Sequence, residues 1–246
     1  MAGNDDFWVS EVTENFAIVN HNEVDYEGYR DFAELVSSRF ERIEAQRERS
    51  ERIAALEKWD ESLPDRWREA RFNRIEKPVV KKILEAMKKT PRGSYFLSGG
   101  SGSGKTFVAY ALVRRLIGNG IITPSQVKFV SERVLLGWKN QGFKGAEMFH
   151  ELFSKRYRIY VFDGIGTLDP AEMDKIATFW EQLVDHIYNN DLIAIFTSSD
   201  TDGSSAEEAL GRFAEKLSPS SEAKVRTMIR ERNFLVEPEG STSGRR

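Results

Sequence analysis

One short stretch constrains the fold of this chain more than any other feature. Residues 99–106, GGSGSGKT, match the pattern G-x-x-x-x-G-K-[S/T]. The stretch follows a short apolar run at 94–98 and opens a segment with helical periodicity at 105–117. A strand, a glycine-rich turn and a helix in this order are typical of a phosphate-binding loop. The sequence therefore predicts such a loop at the end of a strand.

The residue types of this loop suit a nucleotide. Glycines allow positive φ angles, so successive backbone N–H groups can face a phosphate, and the helix N-terminus adds its dipole. Lys105 would reach the β- and γ-phosphates, and the hydroxyl of Thr106 would ligate Mg²⁺, an ion that prefers oxygen. We therefore expect ATP and Mg²⁺ as cofactors. The residues expected to bind the nucleotide are Gly99, Gly100, Ser101, Gly102, Ser103, Gly104, Lys105, Thr106 and Phe107.

Apolar runs and helical stretches alternate through the rest of the chain. The strand candidates are 94–98, 127–130, 158–162 and 192–196, and the helix candidates that accompany them are 105–117, 132–155, 171–188 and 206–232. We expect the second helix to be interrupted around Gly142 and Gly145, and the last to break at Ser218-Pro219. Apolar strands separated by helices indicate a parallel sheet covered on both faces. The predicted fold class is therefore α/β.

An acid ends the third strand candidate. Asp163 follows the run RIYVF and would hold Mg²⁺ through water, although an Asp-Gly turn would also explain it. Many ATPases of this kind carry a second carboxylate at the next position to orient the attacking water, but here the residue is Gly164. Asp169 and Glu172 are candidate substitutes, or else a turn residue and a helix cap.

Two more polar groups are candidates for phosphate chemistry. The fourth strand ends in Thr197-Ser198-Ser199, where a hydroxyl could sense the γ-phosphate or simply belong to a turn. Arg226 and Arg230 lie four residues apart on a predicted helix face. They could reach the phosphates of a neighbouring subunit as an arginine finger does, or be ordinary exposed helix residues.

The N-terminal part differs from the rest in charge. Residues 1–29 carry seven acidic and no basic side chains, with aromatic residues among them, which suits either a partner-binding segment or an unstructured terminus. Residues 29–60 follow a helical pattern with an all-polar stretch at 44–52, typical of a helix that bridges solvent. The predicted parts are an acidic segment at 1–28, a helical arm at 29–62, an ATP-binding domain at 63–238 and a frayed tail at 239–246.

Charge and composition restrict the classes of partner. Residues 66–92 hold ten basic and three acidic side chains, which indicates a solvated helix face or a contact with nucleic acid or with the acidic segment. The whole chain has a net charge of −3, so any nucleic-acid site must be local. The absence of cysteine excludes disulfides and thiolate metal sites. With no signal pattern and no long apolar run, we expect a cytoplasmic protein without a membrane partner.

Several motifs in order resemble the DnaC-type helicase loaders of bacteria and phages, a branch of the AAA+ ATPases that also includes the IstB-type transposition ATPases. The resemblance covers roughly residues 62–236. Its motifs are LPDRW at 63–67, the phosphate loop, FDGIG at 162–166, IFTSSD at 195–200 and RTMIR at 226–230. Two positions differ from the family pattern: Gly164 replaces a second acid, and Ser199 replaces a sensor asparagine.

The resemblance implies an AAA+ P-loop fold and a role in replication initiation. Such a protein delivers a replicative DNA helicase onto single-stranded DNA, with the helicase held by the N-terminal arm and with ATP-dependent assembly into a homo-oligomer. The resemblance also implies single-stranded DNA contacts before the metal-binding strand. The candidates there are Trp138, Lys139, Phe143 and Lys144, unless the tryptophan belongs to the core. The residues expected to take part in catalysis are Lys105, Asp163, Ser199, Arg226 and Arg230, with Thr106 and Asp163 as metal ligands.

Three other functions remain open from the sequence. A transposition regulator would use the same domain on duplex DNA, and a nucleotide-dependent adaptor would bind ATP without turnover. A small-molecule kinase needs an arginine-rich lid, whereas residues 200–222 contain only Arg212 and Lys216 as basic residues. Because Gly164 offers no side chain to orient water, we expect slow hydrolysis.

Overall fold

The computed structural model of the chain describes residues 26–75, 78–199 and 205–237. The chain divides into two compact units, with the boundary between Glu51 and Arg52. The described part of the first unit is helical and belongs to α1 (Tyr26–Ser62), which continues into the second. No helix within the described ranges combines the length and the apolar character needed to cross a membrane. The acidic segment predicted at 1–28, apart from the first residues of α1, and the tail predicted at 239–246 lie outside the described residues.

The second unit is built on one parallel sheet of five strands. The strands are β1 (Tyr95–Ser98), β2 (Val127–Val130), β3 (Ile159–Ile165), β4 (Ile193–Ser198) and β5 (Asn233–Leu235), in the order β2-β3-β4-β1-β5. The helices are α2 (Pro78–Lys89), α3 (Lys105–Gly118), α4 (Glu132–Asn140), α5 (Phe143–Glu151), α6 (Pro170–Asn189), α7 (Ala206–Ala214) and α8 (Pro219–Ile229). Short helical turns occupy Asp65–Arg68, Phe72–Arg74 and Pro124–Gln126.

Both faces of this sheet are covered by core. Alternate residues of β3 enter different clusters, because successive side chains of a strand point to opposite faces. Phe162 packs with Trp180 of α6 on one face, whereas Val161 joins Leu112 of α3 on the other. The prediction of a parallel sheet covered by helices on both faces is confirmed.

The C-terminal region departs from the prediction of one broken helical stretch at 206–232. The predicted break is present, because Ser218 caps α8 and Pro219 begins it. The stretch ends earlier than expected, and β5 follows as an edge strand beside β1. β5 was not predicted, because a strand of three residues is too short to show an alternating pattern.

The expected helix at 132–155 is two helices. Gly142 separates α4 from α5 with a φ of 60°, a conformation that favours glycine. Gly145 lies inside α5, contrary to the predicted interruption there. Its missing side chain lets α5 approach the backbone carbonyl of Trp138, which a Cβ would obstruct.

The end of α1 belongs to the core of the second unit. Trp59 and Leu63 are buried, and Asp60 pairs with Arg114 of α3. Next to them, Tyr110 of α3 stacks between Trp67 and Phe129, with ring centroids 4.9 and 4.6 Å away. These aromatic contacts attach the segment that precedes the sheet to the helix that follows the glycine-rich loop.

Candidate functional site

The glycine-rich loop joins β1 to α3 at the carboxyl edge of the sheet. Gly104 is the N-cap of α3 with a φ of 89°, and Gly102 has a φ of 75°. Other residues adopt such angles at a cost, so glycine is the residue that this turn requires. The backbone of 99–104 therefore wraps around the N-terminus of a 14-residue helix, as the motif predicts. This arrangement suits a phosphate ligand.

Lys105 lies at the centre of the loop. Its side chain is buried, and its ammonium group donates to the carbonyl oxygens of Gly99 and Gly100 at 2.8 and 2.7 Å. The positive charge is thus held under the loop by backbone oxygens. A phosphate bound by the loop would interact with the ammonium group of Lys105.

Three elements converge on the carboxylate of Asp163 at the end of β3. The hydroxyl of Thr106 donates to its Oδ1 atom at 2.9 Å, and the hydroxyl of Thr197 donates to the same atom at 2.7 Å. The backbone N–H of Gly164 donates to the Thr197 oxygen at 2.9 Å. The structure therefore brings Thr106 and Asp163 together, as the sequence predicts, and adds Thr197 from β4.

Thr197, and not the predicted Ser199, is the residue of this strand that contacts Asp163. Ser199 is exposed just after β4, the strand to which Thr197 belongs. The reason is the register of β3 and β4. Phe162 pairs with Phe196, so the next residues on the two strands, Asp163 and Thr197, become neighbours. A sequence without strand pairing does not show this register.

The donor set at Asp163 fits Mg²⁺. One carboxylate and the Thr106 hydroxyl supply the hard oxygen ligands that this ion prefers, and Mg²⁺ commonly takes only one or two protein ligands beside phosphate oxygens and water. Among the described residues, no group of three or more His, Cys, Asp or Glu side chains is placed to hold an ion. A bound ion would therefore share its coordination with the nucleotide, whose negative charge it would neutralise.

Two charged residues that were not predicted as part of the site hold the turn that follows Asp163. The buried carboxylate of Glu132, at the start of α4, accepts from the backbone N–H of Thr167 at 3.0 Å. The ammonium group of Lys216 donates to the carbonyl of Gly166 at 3.4 Å. Burial raises the pKa of Glu132 above its usual value, although backbone N–H groups and Lys216 oppose this shift.

The two acids proposed as substitutes for the missing carboxylate cap a helix. Asp169 is the N-cap of α6 and accepts from the backbone N–H of Glu172 at 2.8 Å. The side chain of Glu172 accepts in return from the backbone N–H of Asp169 at 3.3 Å. This reciprocal pair is a capping box, a structural role that needs no nucleotide.

The structure distinguishes the two candidate arginines. Arg226 lies on α8 and forms ion pairs with Glu222 at 2.9 Å and Glu207 at 3.1 Å. Arg230 is exposed and lies beyond the end of α8 with a φ of 48°. The expectation that both lie on one helix face is therefore wrong, because α8 stops at Ile229.

The four residues predicted to contact single-stranded DNA also differ in their exposure. Trp138 is buried in the core, which was the alternative to a DNA contact, so its ring offers no surface on which a base could stack. Lys139 lies with its ammonium group 5.3 Å from the ring centroid of Phe179. Phe143 is 81% exposed, and Lys144 beside it is also exposed.

Comparisons with known proteins place this geometry in a known fold. No family model and no curated protein sequence matches the chain. Among solved structures, the chain is similar to the DnaC helicase loader at 17% identity and a TM-score of 0.52, over 72% of this chain and 100% of that one. It is similar to a candidate primosome component from Streptococcus pyogenes serotype M3 at 17% identity and a TM-score of 0.50, over 73% and 91% of the two chains.

The chain shares the fold of the DnaC helicase loader. In this chain the fold has the strand order β2-β3-β4-β1-β5, with the glycine-rich loop after β1 and Asp163 near the end of β3. The predicted resemblance to a DnaC-like fold is thereby confirmed. At this level of identity, the comparison shows the fold alone. A conclusion about function must therefore rest on the residues of the site.

Proposed function

We propose that this chain is an ATP-binding AAA+ protein that loads a replicative DNA helicase onto single-stranded DNA at replication initiation. The observation that carries the proposal is the joint placement of Lys105, Thr106 and Asp163 on a DnaC-like fold. A phosphate loop alone would suit many nucleotide-binding proteins. The likeness extends over the full length of the DnaC chain, which favours a loader over the other families with this loop.

ATP would act in this protein as a ligand that joins subunits. Lys105 would neutralise the β- and γ-phosphates, and Thr106 and Asp163 would hold Mg²⁺ against them. Thr197 connects this site to β4, because its hydroxyl touches both Asp163 and the backbone of Gly164. An arginine from a neighbouring subunit would complete the site and make assembly depend on ATP.

The helical arm is the proposed helicase-binding element. In the first unit, α1 exposes three large apolar side chains, with Leu35 at 56%, Phe40 at 63% and Ile43 at 47%. Phe40 and Ile43 lie three residues apart and are therefore neighbours on the helix surface, whereas Leu35 lies farther around the helix. An amphipathic helix with exposed apolar anchors is a common way to occupy a groove on a partner.

A pull-down from the native host tests the partner. The full chain should capture the replicative helicase, and a variant without residues 1–51, the whole first unit, should not. A Leu35→Ser/Phe40→Ser/Ile43→Ser variant should lose the helicase while keeping the helix length. Capture of a transposase would instead support the transposition regulator, and an arm-less variant that still captures the helicase would contradict the assignment of the arm.

A nucleotide-dependent adaptor without turnover is the second candidate, and Gly164 favours it. No side chain at this position can orient a water molecule, and the substitutes Asp169 and Glu172 cap α6. Steady-state phosphate release, measured with single-stranded DNA and helicase present, separates the two functions. Measurable turnover that disappears in Asp163→Ala would support an ATPase, and tight ATP binding with no turnover would support the adaptor.

A further inference from the structure

A basic cleft lies at the edge of the sheet opposite the phosphate loop. Two adjoining concavities of about 560 and 430 Å³ share Thr90, Arg230 and Arg232. Their linings come from the segments that lead into β1, β4 and β5, that is, from the amino ends of these parallel strands. The phosphate loop leaves the carboxyl end of β1, so the cleft is separated from it by the length of that strand, roughly 13 Å.

The cleft has more basic than acidic side chains in its lining. Its basic side chains are Lys82, Lys89, Arg92, Arg230 and Arg232, and the acids that share its lining are Glu85, Asp191 and Glu231. Within the described ranges, none of these five basic side chains forms an ion pair. The guanidinium carbon of Arg232 lies 5.9 Å from the centroid of the Tyr95 ring. In the larger concavity, three arginines face one carboxylate. A ligand with several negative charges would find partners there.

An aromatic ring and strained backbone mark the same concavity. Tyr188, at the end of α6, is 42% exposed and lines it beside Arg92. Across the described part of the chain, two non-glycine residues have a positive φ, Asp191 at 49° and Arg230 at 48°, and both line this concavity. Strained backbone of this kind is concentrated at binding sites.

We propose that this cleft binds single-stranded DNA, with Tyr188 stacking on a base and Arg92 and Arg232 contacting phosphates. Stacking platforms beside cations are the chemistry by which proteins hold single strands without reading their sequence. The inference rests on the proposed function for its choice of DNA. It assigns the strand to a surface other than Lys139, Phe143 and Lys144, which lie on α4 and α5.

The test measures binding of a fluorescein-labelled oligothymidylate of about 20 nucleotides, longer than a typical single-strand site. Fluorescence anisotropy compares the full chain with Arg92→Ala/Tyr188→Ala, which leaves Arg230 in place. We expect Kd to rise about tenfold or more and the salt dependence of log K to fall by about 0.7 for the lost phosphate contact. Tyr188→Phe should bind as the wild type does, because it keeps the ring. Lys139→Ala/Lys144→Ala should change Kd little.

Two outcomes overturn the inference. One is a cleft variant that binds within twofold of the wild type, whether or not Lys139→Ala/Lys144→Ala loses the oligonucleotide. The other is a wild-type chain that does not bind it. Helicase capture by the same cleft variant separates this test from that of the proposed function, because the arm is unchanged. If the cleft variant loses DNA binding and neither it nor the wild type captures a helicase, the cleft remains the DNA-binding site and the assignment as a loader is wrong.

Discussion

At the scale of single residues, the charge of the phosphate loop resides in Lys105. Lys105→Ala removes the ammonium group held by the carbonyls of Gly99 and Gly100 and should weaken ATP binding by about 1–3 kcal/mol, the range for hydrogen bonds to charged groups. Fluorescent ATP titration measures this loss. The exposed Lys155→Ala is the matched control and should bind ATP normally. Equal affinity of Lys105→Ala and wild type would show that the nucleotide binds elsewhere.

Gly164 determines what can be added next to Asp163. Its φ is 74°, and no atom would lie within 4 Å of an added Cβ, so a side chain there would meet backbone strain and no steric clash. We expect Gly164→Asp to lower the free energy of unfolding by about 1 kcal/mol. Because the backbone at this position would be strained, we expect the introduced carboxylate to be poorly placed to orient water. The change should therefore not raise turnover. Chemical unfolding and phosphate release measure the two effects.

The control for this prediction is another open glycine with ordinary backbone angles. Gly137 lies inside α4 and has equal space around it. Gly137→Ala should stabilise the chain by about 0.5–1 kcal/mol, whereas Gly164→Ala should destabilise it.

Wild-type turnover should be slower than about one per second, the low end for enzymes. A rate of several per second would instead direct attention to Asp169 and Glu172, each testable by change to Ala.

Glu132 makes the stability of the chain depend on pH. Its folded-state pKa is raised by burial, so the folded state binds a proton that the unfolded state releases at the usual 4.5. This stabilising contribution is complete below that pH and is lost as the pH rises through the folded pKa. Urea unfolding between acidic and neutral pH should show wild type losing stability relative to Glu132→Gln. A pH-independent difference between the two would contradict the assigned pKa direction.

At the scale of elements, α1 serves two units at once. Its first part exposes apolar side chains, while its end places Trp59 in the core of the second unit and Asp60 beside Arg114. Removal of residues 1–51 should leave that core intact. Removal through residue 62 also takes Trp59, and loss of a buried tryptophan costs about 3–5 kcal/mol, a large share of a typical stability of about 5–15 kcal/mol.

Thermal unfolding of the two truncated chains checks this expectation. The chain that starts at Arg52 should unfold near the temperature of the full chain and bind ATP normally. The chain that starts at Leu63 should unfold at a clearly lower temperature. Equal stability of both would mean that the end of α1 is not needed to complete the core.

At the scale of the whole molecule, ATP-dependent assembly should depend on Arg230 more than on Arg226. Arg226 is held by Glu207 and Glu222 of its own chain, whereas Arg230 is exposed and has no ion pair within the described ranges. Arg230→Ala should spare ATP binding by the monomer and weaken ATP-driven association. Sedimentation velocity with and without ATP measures it, with Arg226→Ala as the control. The same species for all three proteins in both conditions would argue against a shared site.

The sequence by itself determined the phosphate loop, the parallel sheet and the pairing of Thr106 with Asp163. These features depend on neighbouring residues: a glycine run between a strand and a helix, and apolar strands alternating with helices. The order of such elements leaves few topologies, so the loop that leads to Lys105 and the strand that carries Asp163 must meet at one edge of the sheet.

Only the tertiary structure decided which polar groups reach this edge. The choice of Thr197 over Ser199 follows from strand register, and the burial of Trp138 follows from the packing of α4 against its neighbours. The short β5 and the ion pair of Arg226 with Glu207 likewise depend on partners more distant in the chain. Register, burial and ion pairing are properties of elements packed together, and no local pattern of residue types specifies them.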